Sequence, residues 1–413
     1  MSPPRIAIIG AGPAGCMLGR ILSLFNVPFT IFESDASPNY RSQGGTLDLH
    51  PGTGLAAVKE AQLWDEFQEH VRWDGDYVMA ADKDLNPFFQ LGPSNKLSER
   101  PEIDRFQLRR ILTESLPEGS IKWGHRLQRV DDGNVLVFDN ITESGFDLII
   151  GCEGAWSKVR SYISSEVKPH YTGVGCHRLA IPDAAHTAPN LYKLVNRGSV
   201  FASWNGQRMG IQQMGDGSLN IAWCTRRPEN WTQTCGYNPH NIEQVKKAIL
   251  KEMDDWSPQL REAIEKAQDD VCDPKNLYQL PVGWHWEHRR GATIIGDAAH
   301  LMAPFAGEGV NVALDDARKL AAAIIRAVQT GGTLDQLDKE VQAFEEEMFT
   351  RMVVYQRQTE ELTKLWFFTE GSIRDVIPKV MFAHAKAKLP TVLQPLAWGA
   401  INTYWLAKTR FFG

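Results

Sequence analysis

Residues 291–311 read GATIIGDAAHLMAPFAGEGVN. The run from Ala292 to Ile295 is short and apolar, which predicts a buried strand. The chain then breaks at Gly296-Asp297 and passes Pro304, Gly307 and Gly309. A helix is predicted from about Asn311 to Gln329, with Asp315 and Asp316 in its first turns and Gly331-Gly332 past its end. An acid at a strand end can accept hydroxyl hydrogen bonds from a sugar-like chain. The free N–H groups and dipole of a helix N-terminus favour negative charge. A reduced flavin offers both features, a ribityl chain and an anionic N1/C2=O edge. Strand, turn and helix are also an ordinary α/β step in which Asp is only a cap. The stretch therefore needs support from elsewhere in the chain.

The N-terminus supplies it. Residues 5–9 form a short apolar strand, followed by Gly10-Ala11-Gly12-Pro13-Ala14-Gly15 and a helical pattern to about Phe25. A second strand, Phe29 to Phe32, ends in Glu33. Strand, GxGxxG, helix, strand and an acid roughly 20 residues on is the dinucleotide fingerprint in its required context. Gly10 permits the tight turn, Gly12 lets a pyrophosphate approach, Gly15 lets the helix pack on the sheet, and Glu33 can hold ribose hydroxyls.

Other segments carry weaker signals. Residues 41–54, RSQGGTLDLHPGTG, predict a short extended piece in which Asp48 and His50 share a face. Residues 101–116 predict a helix capped near Asp104. Arg105 lies in its first turn, the less favourable end for a cation; either a phosphate lies near it or it is a plain surface arginine. Residues 146–160, FDLIIGCEGAWSKVR, repeat the strand-to-glycine-to-helix step, with Leu148 to Ile150, Gly151, Glu153, Gly154, Ser157 and Arg160. From 166 to 285 the runs 191–197, 199–204, 207–214 and 218–225 are rich in β formers, and Asn205-Gly206 and Asp216-Gly217 are hairpin signals. They predict an antiparallel meander, with helices at 241–254 and 258–268. Trp284-His285-Trp286 invites a flavin halogenase reading, but Glu287-His288 follows where Ile-Pro should stand, and that reading is set aside. A long helix is predicted over 335–366, apolar at Leu337, Val341, Phe344, Met348, Tyr355, Leu362 and Trp366. The tail, 376–413, is aromatic and basic, and Pro390, Pro395 and Gly399 are expected to break it into short pieces. It docks on the protein's own body, contacts a membrane surface, or forms a dimer surface.

The chain has 413 residues, 43% hydrophobic and 23% charged, enough for a large core and more than one domain. A net charge of −6 and a pI near 6.0 point to neither nucleic acid nor an anionic membrane as the main partner. Six cysteines, at 16, 152, 176, 224, 235 and 272, form no CxxC pair. Neither a metal site nor a disulfide framework is expected, and reduced thiols in a cytoplasmic compartment are the default. The start lacks a secretory leader pattern, the triplets at Asn140 and Asn230 read as chance, and no apolar run reaches the ~20 residues that span a bilayer.

Taken together, GAGPAG at 10–15, GCEGAWSKVR at 151–160 and GDAAHLMAPFAGEGVN at 296–311 resemble the single-component FAD monooxygenases of the p-hydroxybenzoate hydroxylase fold. With GGTLDLH at 44–50 and PEIDRFQLR at 101–109, the chain looks most like the tetracycline-inactivating flavin monooxygenases and their fungal relatives. The resemblance covers residues 5–365. It implies an α/β fold, a Rossmann-like FAD-binding domain with an antiparallel-sheet substrate domain and a long C-terminal helix. The implied domains are FAD-binding at 1–70, 101–165 and 281–334, substrate-binding at 71–100 and 166–280, a bridging helix at 335–375, and the tail.

The resemblance also implies site residues. Gly10, Gly12, Ala14 and Gly15 would meet the pyrophosphate, and Glu33 with Ser34 the ribose. Arg105 and Arg109 would bind the phosphate–ribityl part, and Gly296-Asp297 the ribityl chain. Pro304, Gly307, Gly309, Val310 and Asn311 would lie along the isoalloxazine edge, with Asp48 approaching from its strand. The implied reaction uses FAD, NADPH as transient reductant and oxygen, and hydroxylates or epoxidises an electron-rich aromatic or polycyclic small molecule through a flavin C4a-hydroperoxide. The alternative is an FAD-dependent reductase that does not activate oxygen. His50, His177 and Arg178 are candidates for a substrate base by region alone. Two departures stand out: Glu153 replaces the usual Asp, and Glu308 stands where Gln is common. By rough alignment Arg178, Ser199 and Asn220 replace the residues that hold tetracycline in the relatives, so tetracycline is not the expected substrate.

Overall fold

The computed structural model describes residues 3–38, 44–92, 99–369, 373–387 and 389–411. Residues 41–43, and Lys388 and Phe412 of the tail, lie outside them. The chain divides into two compact units: Met1–Val71, Glu99–His170 and Tyr278–Gln356 in one, Arg72–Ser98, Tyr171–Leu277 and Arg357–Gly413 in the other.

The first unit is built on a five-stranded sheet in the order Ala292–Ile294, Leu148–Gly151, Ile6–Ile9, Phe29–Phe32, Ile121–Lys122. Every pairing in it is parallel. Three of its strands, Ala292–Ile294, Leu148–Gly151 and Ile6–Ile9, are buried residue by residue, as expected for parallel strands covered on both faces. Helix Pro13–Leu24 packs along the sheet, and helix Gly309–Gln329 packs against it through Val312, Leu320, Ile324 and other buried residues. At Gly19 a Cβ would stand 2.9 Å from the Phe29 ring, so this glycine sets the helix–sheet distance. Because the strands are parallel, their carboxyl ends share one edge, where α/β sheets form ligand crevices.

The second unit holds a seven-stranded sheet, in the order Gln268–Gln279, His170–Ile181, Leu219–Arg226, Gln207–Gln213, Ser199–Trp204, Val78–Ala81, Pro87–Leu91. Leu219, Ile221 and Trp223 point together into a core closed by helices Pro189–Val195, Ile242–Glu252 and Pro258–Glu265. Asn205 and Gly206 both have positive φ, 46° and 74°, and turn a two-residue hairpin. The α/β class expected from sequence is the class found.

Several local expectations are corrected. Residues 191–197 are mostly helix, because Pro189 opens a turn whose Leu191 and Val195 reach the core. The meander from Ser199 to Arg226 is antiparallel as expected, and the sheet extends beyond it by a parallel pairing of Ser199–Trp204 with Val78–Ala81. The helix predicted from 101 starts at Arg105, and Glu102–Asp104 is instead a strand paired with Thr46–Asp48. Gly399 does not break the tail, which forms helices Ile373–Lys386 and Gln394–Phe411. Cys176 and Cys224, expected as thiols, are cross-strand partners joined in a disulfide. Their separation of 48 residues hides this from any spacing rule. Trp286 and His288 both bond the buried Glu345 of helix Leu334–Phe367, at 3.2 and 2.7 Å, so the tryptophan-rich segment anchors a helix.

Candidate functional site

The three glycine-rich marks meet at the carboxyl edge of the parallel sheet. Gly10 has φ of 105°, and a Cβ there would stand 2.7 Å from the Cys152 carbonyl oxygen. A Cβ on Gly15 would collide with the Gly10 carbonyl oxygen. The Cys152 amide donates to the Ile9 oxygen at 2.7 Å, and the Ile295 amide to the Gly151 oxygen at 3.0 Å. A Cβ on Gly296 would lie 3.5 Å from that of Ala14. Segments 280 residues apart in sequence are thus neighbours. Glu33 is buried at the adjoining strand end. Its Oε2 accepts from the Ala11 amide at 2.6 Å, and its Oε1 from the Asp35 amide at 2.8 Å and the Ser34 hydroxyl at 3.0 Å. The carboxylate is therefore fixed beside the glycine turn.

Asp297 opens onto solvent at the mouth of this edge, yet protein crowds around its carboxyl. That crowding raises its pKa, with His300 and Arg105 pulling it back. A carboxylate exposed at this edge is placed to accept hydroxyl hydrogen bonds. Arg105 is exposed, and its amide donates to the Gly45 oxygen at 3.0 Å, tying the 44–50 segment to this rim. Arg109 is buried and pairs with Asp35 at 2.9 Å, while its Nε and Nη1 find no hydrogen-bond partner. Buried donors without acceptors are costly, and they mark a place where a polar group belongs.

The 304–311 loop completes the edge. Gly307 has φ of 72°, and Pro304 and Gly307 are exposed. Cβ atoms built at Gly45 and Gly309 would meet nothing within 4 Å, and one at Gly12 only the Cys152 oxygen at 4.0 Å, so these backbones face open space. Helix Gly309–Gln329 has no acid in its first turn, and Val310 lies partly buried there. Asn311 is fully buried. Its Oδ1 accepts from the His50 amide and its Nδ2 donates to the Asp48 oxygen, both at 2.8 Å. Its side chain is thus a clamp on the 44–50 segment, leaving its backbone for other use.

Glu308 points back to His50. The ring Nδ1 lies 3.2 Å from Glu308 Oε2, and Nε2 lies 2.9 Å from Asp48 Oδ2. Burial lowers the affinity of this imidazole for a proton, but the two carboxylates outweigh it and raise its pKa to about 9. Glu308, which stands where Gln is common, therefore has a cationic partner. Sequence reasoning did not find that pairing.

Two further carboxylates have partners within the fold. Glu153 Oε1 accepts from the amides of Lys158 and Val159, each at 2.9 Å, and so holds the start of a helix from outside it. Asp316, fully buried, meets His300 at 2.5 Å, Arg351 at 3.0 Å and the Gly296 amide at 3.1 Å. Burial opposes its ionisation, yet His300 and Arg351 hold its pKa below the usual carboxylate range.

His177 and Arg178 lie in the second unit on opposite faces of one strand. His177 stands opposite Trp223 on the helix-packed face, with its ring against Trp231 and Tyr237. Burial and Arg227 push its pKa down to about 3. At 1% exposure no substrate reaches it without displacing the core. Arg178 stands opposite Ala222 on the other face and pairs with Asp273 at 2.9 Å.

This arrangement fits FAD on its own observations: an open glycine backbone at two helix starts, an exposed carboxylate between them, and a buried arginine with unused donors. Among the described residues no cluster of metal-binding side chains occurs. The family described as FAD binding domain matches residues 4–352. Monooxygenase penA of Penicillium thymicola is 29% identical over 394 residues, covering 83% of this chain and 90% of that protein. The structure of Klebsiella pneumoniae HpxO complexed with FAD and uric acid is similar with a TM-score of 0.74 at 16% identity, covering 97% of this chain and 96% of that one. The tetracycline destructase Tet(55) is similar with a TM-score of 0.68 at 17% identity, covering 93% and 97%.

Proposed function

From the premise that this chain belongs to the FAD binding domain family, as a single-component FAD-dependent monooxygenase of the p-hydroxybenzoate hydroxylase fold, we propose that it uses NADPH to hydroxylate or epoxidise an electron-rich aromatic or polycyclic molecule in secondary metabolism. The observation that carries the proposal is the meeting of the Gly10–Gly15 turn, Asp297 and the Gly309 helix start at one sheet edge.

In this reading the amides of the Gly10–Gly15 turn take the pyrophosphate, and Glu33 and Ser34 the adenosine ribose. Arg105 and Arg109 neutralise phosphate charge, Arg109 through the donors that now lack acceptors. Asp297 accepts from the ribityl hydroxyls, and the backbone from Gly307 to Asn311 lies along the flavin ring. The start of helix Gly309–Gln329 stabilises negative charge there, and His50 keeps Glu308 from opposing it. When bound, FAD supplies the redox and oxygen chemistry, and the protein supplies position, charge and exclusion of water. With one dinucleotide fingerprint in the chain, the nicotinamide cofactor binds transiently without a Rossmann domain of its own. In the second unit, the sheet face away from the helices carries Arg178 and Asn220 among small residues such as Ala180 and Ala222. That face suits a flat molecule bearing polar substituents.

The test is product formation under labelled oxygen with NADPH, across a panel of phenols, indoles and fused aromatic compounds. Incorporation of one labelled atom per NADPH consumed is expected. Product formed without oxygen would show a reductase instead.

A further inference from the structure

Glu308 stands just ahead of helix Gly309–Gln329, and its carboxylate makes no capping bond to the helix. The first helical bond runs from the Val312 amide to the Glu308 carbonyl at 3.0 Å, so the amides of Gly309, Val310 and Asn311 precede it. A carboxylate in this position is drawn to those amides and to the dipole behind them. Glu308 is turned elsewhere, with its Oε2 3.2 Å from His50 Nδ1. A Cβ at Gly309 would meet nothing within 4 Å, so the helix start is left open.

A fixed cation holds the carboxylate aside. His50 Nε2 meets Asp48 Oδ2 at 2.9 Å, which orients the ring and leaves Nδ1 for Glu308. The His50 backbone is held separately, by its amide on Asn311 Oδ1 at 2.8 Å. The His50 side chain is 12% exposed and that of Glu308 9%, so water and salt screen the pair little. Among the described residues no second cation pairs with Glu308. We propose that Glu308 is a built-in competitor for the anion site at the start of helix Gly309–Gln329, and that His50 is the positioning residue that latches it away, leaving the amides to the negative edge of the flavin. A neutral glutamine at 308 would need no latch. The inference rests on the FAD reading above and assigns within it a role to two side chains that need not touch the cofactor.

The test is a spectroelectrochemical titration of the bound flavin in full-length holoprotein, for the wild type, His50→Asn, Glu308→Gln and the double variant. Once freed by His50→Asn, Glu308 should weaken the hold on anionic reduced flavin about ten-fold relative to oxidised flavin, a fall of about 30 mV in the two-electron potential. With glutamine at 308, the same change at His50 should move the potential less than half as far. The difference between the two backgrounds measures the coupling of the pair. His50→Gln, which is long enough to keep a bond to Asp48, repeats the comparison with less disturbance of the fold. Equal shifts in both backgrounds would overturn the proposal, since His50 would then act through its own charge alone. So would an unmoved potential in His50→Asn and His50→Gln. Wild-type protein that takes up no FAD would overturn the FAD reading itself, and the proposal with it.

Discussion

His50 stands between two carboxylates, Asp48 at 2.9 Å and Glu308 at 3.2 Å, and both ring nitrogens are engaged. Raised to about 9, its folded pKa exceeds the ordinary value of 6.5. The imidazolium therefore contributes its full stabilisation below about pH 6.5, and loses it as pH rises through the folded value. The contribution is on the order of 3–4 kcal/mol at roughly 1.4 kcal/mol per unit. A proton NMR titration should show His50 titrating near pH 9, and Glu308→Gln should bring that midpoint down. A midpoint at the ordinary value in the wild-type protein would remove the ion trio. Asp297→Ala should lower the flavin content of purified protein several-fold without shifting the unfolding midpoint of the apoprotein, because the side chain is exposed. Unchanged flavin would take Asp297 out of the site. The sequence marked Asp48, His50 and Glu308 separately, two as site candidates and one as a departure. Their pairing escaped it because 258 residues separate His50 from Glu308, and only the folded loops bring them together.

Elements were legible where one pattern governed them and failed where two competed. The strands Ile6–Ile9 and Leu148–Gly151 and the helix Leu334–Phe367 have long or uniform apolar signals, and no local rule contradicts them. The segment at 191–197 carries β formers, but Pro189 fixes a helical first turn and the core rewards helical spacing of Leu191 and Val195. Gly399 has a low helix propensity, worth about 1 kcal/mol, which packing of Trp398 and Trp405 on either side of it outweighs. The disulfide joins two strands of the second sheet, so denatured but unreduced protein should titrate four thiols with Ellman's reagent and reduced protein six. Six without reductant would mean that the strands pair without the bond. Asn311→Ala removes both hydrogen bonds of a fully buried clamp and should cost about 2–4 kcal/mol in urea unfolding. A change below about 0.5 kcal/mol would show that solvent replaces the clamp.

At the scale of the whole molecule, all the residues assigned to FAD belong to the first unit, while the disulfide and the large sheet belong to the second. Adding FAD to apoprotein should therefore slow amide hydrogen exchange in peptides covering 10–15, 44–50 and 296–311, and leave the strand Leu219–Arg226 unchanged. Protection confined to the second unit would relocate the site. What the sequence alone determined was the chemistry of the edge: a glycine turn, an acid after a strand and an open helix start are local features set by backbone sterics and polarity. What only the tertiary structure decided was which charges neutralise which. Glu308 with His50, Asp316 with His300 and Arg351, and Cys176 with Cys224 are all long-range partners. Such pairs depend on distance in space, which parallel strand order and sheet register fix and linear spacing does not record.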